Sequence, residues 1–224
     1  TLFMASRNYR SLRQLKSVMT PALIKRFDYN SATFNGKRGN RLAAFDFGED
    51  DLRPVRTRKG SAPSIYQATV KSLWDNQGEL VERRTESIRI AQQEDGLWRV
   101  GVLEEVSSDS VRFSDAVPGV TNLRMLLRAW ARRDLAGAES QMSSAFLKSY
   151  QGREDALQTI FVGDPDPRHA AFEILDLQPL PSGGAEAHVR LYDASPDRPS
   201  PLDGYERTLR FGRSGARYVL DAWE

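Results

Sequence analysis

A group of four polar residues that includes His188 contains the best candidates for acid–base chemistry in this sequence. Imidazole titrates near neutral pH, so histidine serves as a general acid or base more readily than other side chains. The neighbours of His188 at two-residue spacing are Glu186, Arg190 and Tyr192. Residues two apart on a β-strand share a face, so an inward face would form a polar pocket. If the same face meets solvent, it is the wet side of an ordinary sheet, and this is the interpretation that we favour.

Tyrosines form a second group of candidates for ligand binding. A phenol can join the apolar wall of a pocket to a polar ligand, and three tyrosines fall where helices and sheet should meet. We therefore predict a ligand-binding set and no catalytic residue. The members of that set are Tyr150, His188, Arg190, Tyr192 and Tyr205.

The second histidine lies in a conformationally restricted segment. His169 follows two Asp-Pro steps at 164–167, and a proline restricts the residue before it to extended conformations. One interpretation is an acid–base pair of Asp166 and His169. The favoured interpretation is a surface connection.

A basic segment at 34–41 contains a Gly-x-x-Gly pattern from Gly36 to Gly39. In K-homology domains such a pattern clamps a nucleic-acid backbone. The segment that follows, 42–47, has the composition of a strand rather than of the helix that this use requires. Lys37 also lacks the glycine spacing and the following Ser or Thr of a phosphate-binding loop. We therefore predict a basic hairpin turn.

Composition excludes several classes of site. The chain of 224 residues has no Cys and two His, which excludes disulfides, thiol nucleophiles and cysteine metal sites and disfavours a zinc centre. No Ser stands in a Gly-x-Ser-x-Gly elbow, and we predict neither a metal nor a cofactor. A formal net charge of +2 disfavours nucleic acid as a partner.

The apolar content predicts packed cores and no membrane span. Hydrophobic residues make up 40% of the chain and charged residues 28%, a globular composition. No apolar run approaches the roughly 18 residues that a span needs. Because the chain begins with Thr1 rather than Met, we expect that an upstream segment has been removed, which is where a signal or an anchor would be found.

An internal repeat supplies the elements that must position these residues. Residues 11–27 (SLRQLKSVMTPALIKRF) align without a gap on 134–150 (DLAGAESQMSSAFLKSY) at an offset of 123. The identical pairs are Leu12/Leu135, Ser17/Ser140, Met19/Met142, Ala22/Ala145 and Lys25/Lys148. Ser11 and Asp134 stand where N-caps are expected, and Thr20 and Ser143 do so nine residues later. Each half is therefore predicted to contain a short helix, a capped break and a second short helix.

An amphipathic helix precedes the second copy. Its apolar stripe at i, i+3, i+4 and i+7 predicts a helix over 122–133. The stripe consists of Leu123, Leu126, Leu127 and Trp130. The counterpart in the first half would occupy about the first ten residues, with Phe3, Met4 and Tyr9 as its apolar positions.

Alternating patterns predict antiparallel strands after the helices in both halves. The predicted strands are 67–74, 82–91 and 97–103 in the first half, and 186–192, 205–212 and 217–223 in the second. Turn signals separate them at 75–78, 94–96 and 213–216. Residues 107–119 have a loop composition, so we predict domains at 1–106 and 120–224 with 107–119 as the linker.

A helical hairpin followed by a long, curved antiparallel sheet resembles the nuclear transport factor 2-like superfamily. The segments that carry the resemblance are Leu12 to Phe27, Trp98-Arg99-Val100 and the opening helix Leu126 to Ala136 (LLRAWARRDLA). The resemblance spans about 8–106 and 118–224. It implies an α+β fold of two tandem domains, each a short helical hairpin packed on a curved antiparallel sheet, with the N-terminal helix of the first domain truncated.

The resemblance implies a cone whose cavity members use for substrates, for ligands or for nothing, so the fold does not fix the chemistry. Catalytic members such as ketosteroid isomerases and polyketide cyclases place Asp, Tyr or His inside the cone, and this chain has no residue-by-residue match to their patterns. Tandem copies similar to these occur in extracytoplasmic bacterial proteins, which favours a location outside the cytoplasm.

We therefore expect a non-catalytic protein that binds a small molecule or another protein. One alternative is an isomerase or cyclase acting on an apolar ring substrate, with His188, Tyr192 or Tyr205 as the acid–base residue. Another alternative is an assembly scaffold that forms a homodimer through an exposed apolar sheet face.

Overall fold

A computed structural model describes residues 2–8, 11–26, 39–46, 48–55, 65–164, 167–194 and 204–224. It divides the chain into two compact units. The first unit comprises Thr1–Asn76 and Glu82–Ser110, and the second comprises Gln77–Val81 and Val111–Glu224. Each unit combines short helices with antiparallel strands, which confirms the predicted α+β class.

Three short helices open the first unit: α1 (Leu2–Asn8), α2 (Leu12–Val18) and α3 (Pro21–Arg26). The side chain of Ser11 accepts a hydrogen bond from the Gln14 amide at the start of α2. The Thr20 hydroxyl accepts one from the Leu23 amide, 3.2 Å away, at the start of α3. Each side chain satisfies one of the free N–H groups that open a helix, so the predicted capped break is confirmed.

The sheet of the first unit contains β1 (Arg41–Asp46), β2 (Leu52–Pro54), β3 (Ile65–Asn76), β4 (Glu79–Gln92) and β5 (Trp98–Ser110). A short 3₁₀ turn, Glu49–Asp51, precedes β2. β1 and β2 both pair antiparallel with β3, and β5 pairs antiparallel with β4. The strand predicted to follow the basic segment is β1, whereas residues 34–38 of that segment lie outside the described residues.

The tight turn between β3 and β4 has two residues with positive φ, Gln77 at 55° and Gly78 at 93°. Two consecutive positive φ values are the signature of a type I′ hairpin turn, which matches the twist of the flanking strands. A Cβ atom on Gly78 would lie 2.8 Å from the Cβ of Ala131. Glycine is therefore required here for the backbone conformation and for the close approach.

The described residues of the second unit form four helices: α4 (Val120–Arg132), α5 (Leu135–Glu139), α6 (Ser144–Ser149) and α7 (Glu154–Phe161). The side chain of Asp134 accepts from the Gly137 amide at the start of α5, and that of Ser143 accepts from the Phe146 amide at the start of α6. The predicted helix, break and helix are confirmed in this half also. α7 begins with Glu154 and Asp155, whose negative charges favour a helix start.

The sheet of the second unit runs in the order β6 (Arg168–Pro179), β7 (Ala185–Ala194), β8 (Tyr205–Ser214) and β9 (Arg217–Trp223). All three neighbouring pairs are antiparallel. β6 begins at Arg168, so His169 lies on a strand and the prediction of a surface connection was wrong for that residue. Asp166, its suggested acid–base partner, lies outside the described residues.

Each unit has its own apolar core. In the first unit the core joins α1, α2 and α3 to the sheet through residues such as Phe3, Leu15 and Leu23. In the second unit the core is dominated by large rings, and Trp130, Phe161 and Phe172 are completely buried.

Trp98 is exposed, unlike the buried Trp74 and Trp130. Its exposed fraction is 43%, and its ring meets Tyr66 edge-on at 5.5 Å between centroids. Trp98 is the first residue of β5, two residues after the turn at 94–96. A position at the end of a strand therefore overrides the preference of tryptophan for the core.

The segment predicted as a linker has a mixed structure. β5 continues through Ser110, and Val111 donates a backbone hydrogen bond to Val81 within the second unit. The bounds 1–106 and 120–224 remain predictions for the domains. Among the described residues, no helix is long and apolar enough to cross a bilayer.

Candidate functional site

Tyr150 lies on a groove between the helices of the second unit. The groove has a volume of about 390 Å³. It is lined by Glu139, Ser144, Leu147, Lys148, Tyr150, Gln151, Glu154 and Leu157. Because α5, α6 and α7 are short and each begins at its own turn or cap, their side chains converge here from three directions.

The phenol ring of Tyr150 is held from two sides. Its centroid lies 5.0 Å from that of the buried Phe146, one turn earlier on α6. The Arg153 guanidinium carbon lies 5.4 Å from the same centroid, within the range of a cation–π interaction. Tyr150 is therefore a fixed, half-buried wall of the groove.

The groove combines apolar walls with a charged rim. Leu157 is buried and Leu147 packs on the core, while Glu139, Glu154 and Lys148 are exposed. The Gly152 amide donates to Glu154 Oε1 at 2.9 Å. That backbone hydrogen bond lowers the pKa of Glu154, so its carboxylate stays charged at neutral pH. The groove thus offers contacts to a ligand that is partly apolar and partly cationic.

His188 lies on the exposed face of β7. Its side chain is 49% exposed, with Nε2 3.6 Å from a Glu186 carboxylate oxygen. Its Nδ1 lies 3.4 Å from the Thr208 hydroxyl. Glu186 is also bound by Arg210 at 2.9 Å. For His188, the solvent-facing interpretation of the polar strand is therefore the correct one.

Arg190 and Tyr192 belong to a network of carboxylates on the same sheet. The Tyr192 hydroxyl donates to Glu173 Oε2 at 3.1 Å. Arg190 donates to Glu206 at 2.5 Å and lies 3.9 Å from Glu173. Tyr192 is 3% exposed, so its hydroxyl is committed to the interior of the protein.

Tyr205 joins a different network, which contains the second histidine. Burial, reinforced by the charge of Asp193, raises the pKa of the Tyr205 phenol. Asp193 Oδ1 lies 2.9 Å from His169 Nδ1. The other ring nitrogen of His169 lies 3.1 Å from the Ile160 carbonyl oxygen. Both nitrogens of the imidazole therefore face oxygen acceptors.

This network closes the end of α7. The backbone carbonyls of the last helical turn have no partner within the helix, and His169 binds that of Ile160. Arg133 donates to the carbonyls of Val162 at 2.6 Å and Gly163 at 3.1 Å. The His169 ring also stacks on Trp130, 4.1 Å between centroids. His169 is thus placed to fix a helix end rather than to exchange protons with a ligand.

The first unit contains a buried ionic cluster that was not predicted from the sequence. Arg7 and Glu86 form a bidentate pair, with both distances 2.9 Å and both side chains fully buried. Ser72 donates to the same carboxylate at 3.0 Å and accepts from the indole of Trp74. The Trp74 ring lies between two guanidinium groups, that of Arg7 at 5.2 Å and that of Arg84 at 4.5 Å.

A second ion pair continues this cluster along β4. Arg84 binds Glu82 through two nitrogens at 2.9 and 3.0 Å, and Ser108 donates to the same carboxylate. Glu82, Arg84 and Glu86 alternate along the strand, so all three share one face. Every charge in this group has a partner of opposite sign, as buried ions require. Within the described ranges, no group of three or more His, Asp or Glu side chains could hold a metal ion.

Comparisons with known proteins find a likeness in structure and none in sequence. No protein-family model matches the sequence, and no curated protein matches it. The chain is similar to a solved structure described as an NTF2-like protein involved in plasmid conjugation. The identity is 10%, the alignment covers 98% of this chain and 88% of that one, and the TM-score is 0.29.

Proposed function

We propose that this chain is a non-catalytic binding protein built from two nuclear transport factor 2-like units in tandem, at 1–106 and 120–224. The groove beside Tyr150 is the observation that carries the binding function. It has the volume of a small-molecule site, and it combines a fixed aromatic wall with a charged rim.

The tandem arrangement is supported by one feature that recurs at the same offset. Met19 forms a parallel bridge with Val100, and Met142 forms one with Leu220. The next residue in each case, Thr20 or Ser143, donates its amide to the carbonyl of that same strand residue at 2.9 Å. Met19 and Met142 are 123 residues apart, so both copies attach the break between their helices to the last strand of their sheet.

Binding is favoured over catalysis by the bonding of the acid–base candidates. A general base must reach the proton that it removes. The nitrogens of His169 are occupied by Asp193 and Ile160, and the Tyr192 hydroxyl is bound to Glu173. His188 is exposed on the polar face of the sheet. An isomerase or cyclase would need one of these groups directed at a substrate inside a cone.

The chemistry of the groove defines the class of ligand. Leu147, Tyr150 and Leu157 accept an apolar or aromatic group, and Glu139 and Glu154 complement a cation. A small arylalkylamine has both features, and so does an aromatic side chain next to Lys or Arg on a partner protein. We therefore propose a ligand that presents an aromatic group and a cation together.

Ligand-observed NMR with phenethylamine, and with phenylacetate as the matched anion, tests this function. We expect saturation transfer to phenethylamine in the unaltered chain, none in Tyr150→Ala, and unchanged transfer in Tyr66→Ala, which removes a phenol from the first unit. Equal transfer to phenylacetate, or transfer to Tyr150→Ala at the level of the unaltered chain, would contradict the proposal.

An assembly scaffold remains the second candidate, and exposed apolar residues of the first unit favour it. Leu97 is 57% exposed, Trp98 43% and Val106 65%, and all three lie on or directly before β5. A homodimer through this strand would bury them. Light scattering would give the mass of two chains, and Trp98→Ser would return the mass of one; a monomer at all concentrations would exclude this candidate.

A further inference from the structure

Three arginines stand at four-residue intervals on α4, namely Arg124, Arg128 and Arg132. Residues four apart on a helix are neighbours on its surface. The first of them is fully satisfied. Arg124 binds both oxygens of the buried Glu79 at 2.8 and 2.9 Å, and it also binds Asp115 and the carbonyl of Phe113.

Arg128 has no such satisfaction. Its Nε is buried and has no hydrogen-bond partner. Its nearest carboxylate oxygen, on Glu79, lies 4.0 Å from a terminal nitrogen, which is too far for a hydrogen bond. A buried donor without a partner costs stability, and more so on a charged group. The side chain as a whole is still 30% exposed. Because Nε is buried, an external group can reach the terminal nitrogens but not Nε.

The charges around Arg128 are unbalanced. Burial lowers the pKa of Arg128, and the charges of Arg124, Arg132 and Arg112 act in the same direction against that of Glu79. Asp115 is shared between Arg112 and Arg124. The cluster thus holds four guanidinium groups and two carboxylates, an excess of two positive charges. The oxygens of Glu79 and Asp115 are already engaged by Arg124 and Arg112.

We propose that Arg128, with Arg112 and Arg132 beside it, binds a phosphate group, either as the free anion or as a phosphate monoester of a small molecule. A phosphate carries about two negative charges near neutral pH, which equals the excess of the cluster. Its oxygens accept the forked donors of guanidinium groups in parallel pairs. A carboxylate would supply half of that charge. This site is separate from the groove, and the proposal does not rest on the proposed function.

Phosphorus NMR and calorimetric titration of the full chain at constant ionic strength test the proposal. The probes are inorganic phosphate, glycerol 3-phosphate and acetate. We expect binding of at least one phosphate probe and binding of acetate weaker by about tenfold or more, because hydrogen bonds between charged groups contribute about that factor. Binding of inorganic phosphate alone assigns the free anion, and tighter binding of glycerol 3-phosphate assigns a monoester. Equal binding of acetate, or no binding of either phosphate probe, would overturn the proposal.

Two substitutions localise the effect. Arg128→Gln should weaken phosphate binding by about tenfold or more, whereas Arg207→Gln, an exposed arginine on β8, should leave it unchanged. Equal phosphate affinity in both variants would mean that binding depends only on the overall charge of the protein, and it would overturn the proposed site. Arg128→Met tests the orphaned donor without any ligand. It should melt at or above the temperature of the unaltered chain, and a clearly lower melting temperature would show that the guanidinium already has partners.

Discussion

Arg7 in the first unit and Trp130 in the second lie 123 residues apart, the offset that aligns the two helical pairs, and both are buried at the helix–sheet contact. Arg7 ends in a bidentate pair with Glu86, whereas Trp130 stacks on His169 within an apolar core. The same place in the chain pattern is thus filled by an ion pair in one unit and by a large ring in the other.

The difference shows how two kinds of interior constrain a sequence. An aromatic ring needs volume and contact area, and neighbouring side chains can adjust to provide both. A buried guanidinium needs a carboxylate at one position on one strand, because an unpaired ion is very costly in a medium of low polarity. The first unit therefore depends on the identity of a few residues, and the second depends on its packing.

Removal of the ring should give the largest effect. Trp130→Ala leaves a cavity in the core of the second unit, and we expect a loss of about 4 kcal/mol in the free energy of unfolding. Urea denaturation measures the loss, and hydrogen exchange shows whether it is confined to the second unit. Trp98→Ala is the matched control, because this tryptophan is half-exposed. An equally large loss of unfolding free energy in Trp98→Ala would contradict the cavity in the core as the cause.

Breaking the ion pair should give the next largest effect. Glu86→Gln leaves Arg7 charged, buried and without its counter-ion, and we expect a loss of about 3 kcal/mol in the free energy of unfolding of the first unit. Replacing both partners, as Arg7→Met with Glu86→Leu, should recover most of it, because two apolar side chains need no charge partner.

The comparison between the single and the double variant is the sharper test. If the double variant is as unstable as Glu86→Gln, the cluster is held by more than the Arg7–Glu86 pair, and the contrast between the two interiors is weaker than described. Trp74 lies in β3 and Glu86 in β4, so hydrogen exchange of the amides in these two strands shows whether the loss of stability is local to the cluster.

The smallest effect is expected at Tyr205. Tyr205→Phe removes the interaction of the phenol with the Asp193 carboxylate, worth about 1 kcal/mol. Because the pKa of Tyr205 is raised in the folded protein, the phenol keeps its proton more tightly when folded than when unfolded. Its contribution is complete below pH ~10, the ordinary tyrosine pKa, and declines at higher pH.

The pH profile of stability checks this sign. Between about pH 10 and pH 11, the unfolding free energy of the unaltered chain should fall more steeply than that of Tyr205→Phe, measured by urea denaturation in the same buffers. Tyr66→Phe is the matched control for the loss of a phenol elsewhere. A steeper fall of the unfolding free energy with pH in Tyr205→Phe than in the unaltered chain would show that the pKa of Tyr205 is not raised by folding.

Most of the helices and strands could be predicted because their signals are local, whereas α7 was not predicted. Ser11, Thr20, Asp134 and Ser143 each precede an apolar pattern of helical period, and each caps a helix in the structure. β6 was missed because its residues 169–177 have no strict alternation; His169 and Phe172 are both buried, and a shift in register lies between them.

The ionic interior could not be predicted, because nothing in the sequence marks it as buried. Glu82, Arg84 and Glu86 alternate with Arg83, Thr85 and Ser87, so both faces of this part of β4 are polar. The partner of Glu86 is 79 residues away, and only the tertiary fold brings the two together. Of the predicted binding residues, Tyr150 lines a groove, whereas Tyr192 is buried and His188 is exposed.

The second unit includes a five-residue piece from the first half of the chain. Residues 77–81 group with 111–224, and they supply Glu79, the carboxylate that binds both Arg124 nitrogens. A polypeptide cut between Ser110 and Val111 would therefore leave Arg124 in the C-terminal fragment without its counter-ion. A C-terminal fragment designed to fold alone will need residues 77–81 to be included.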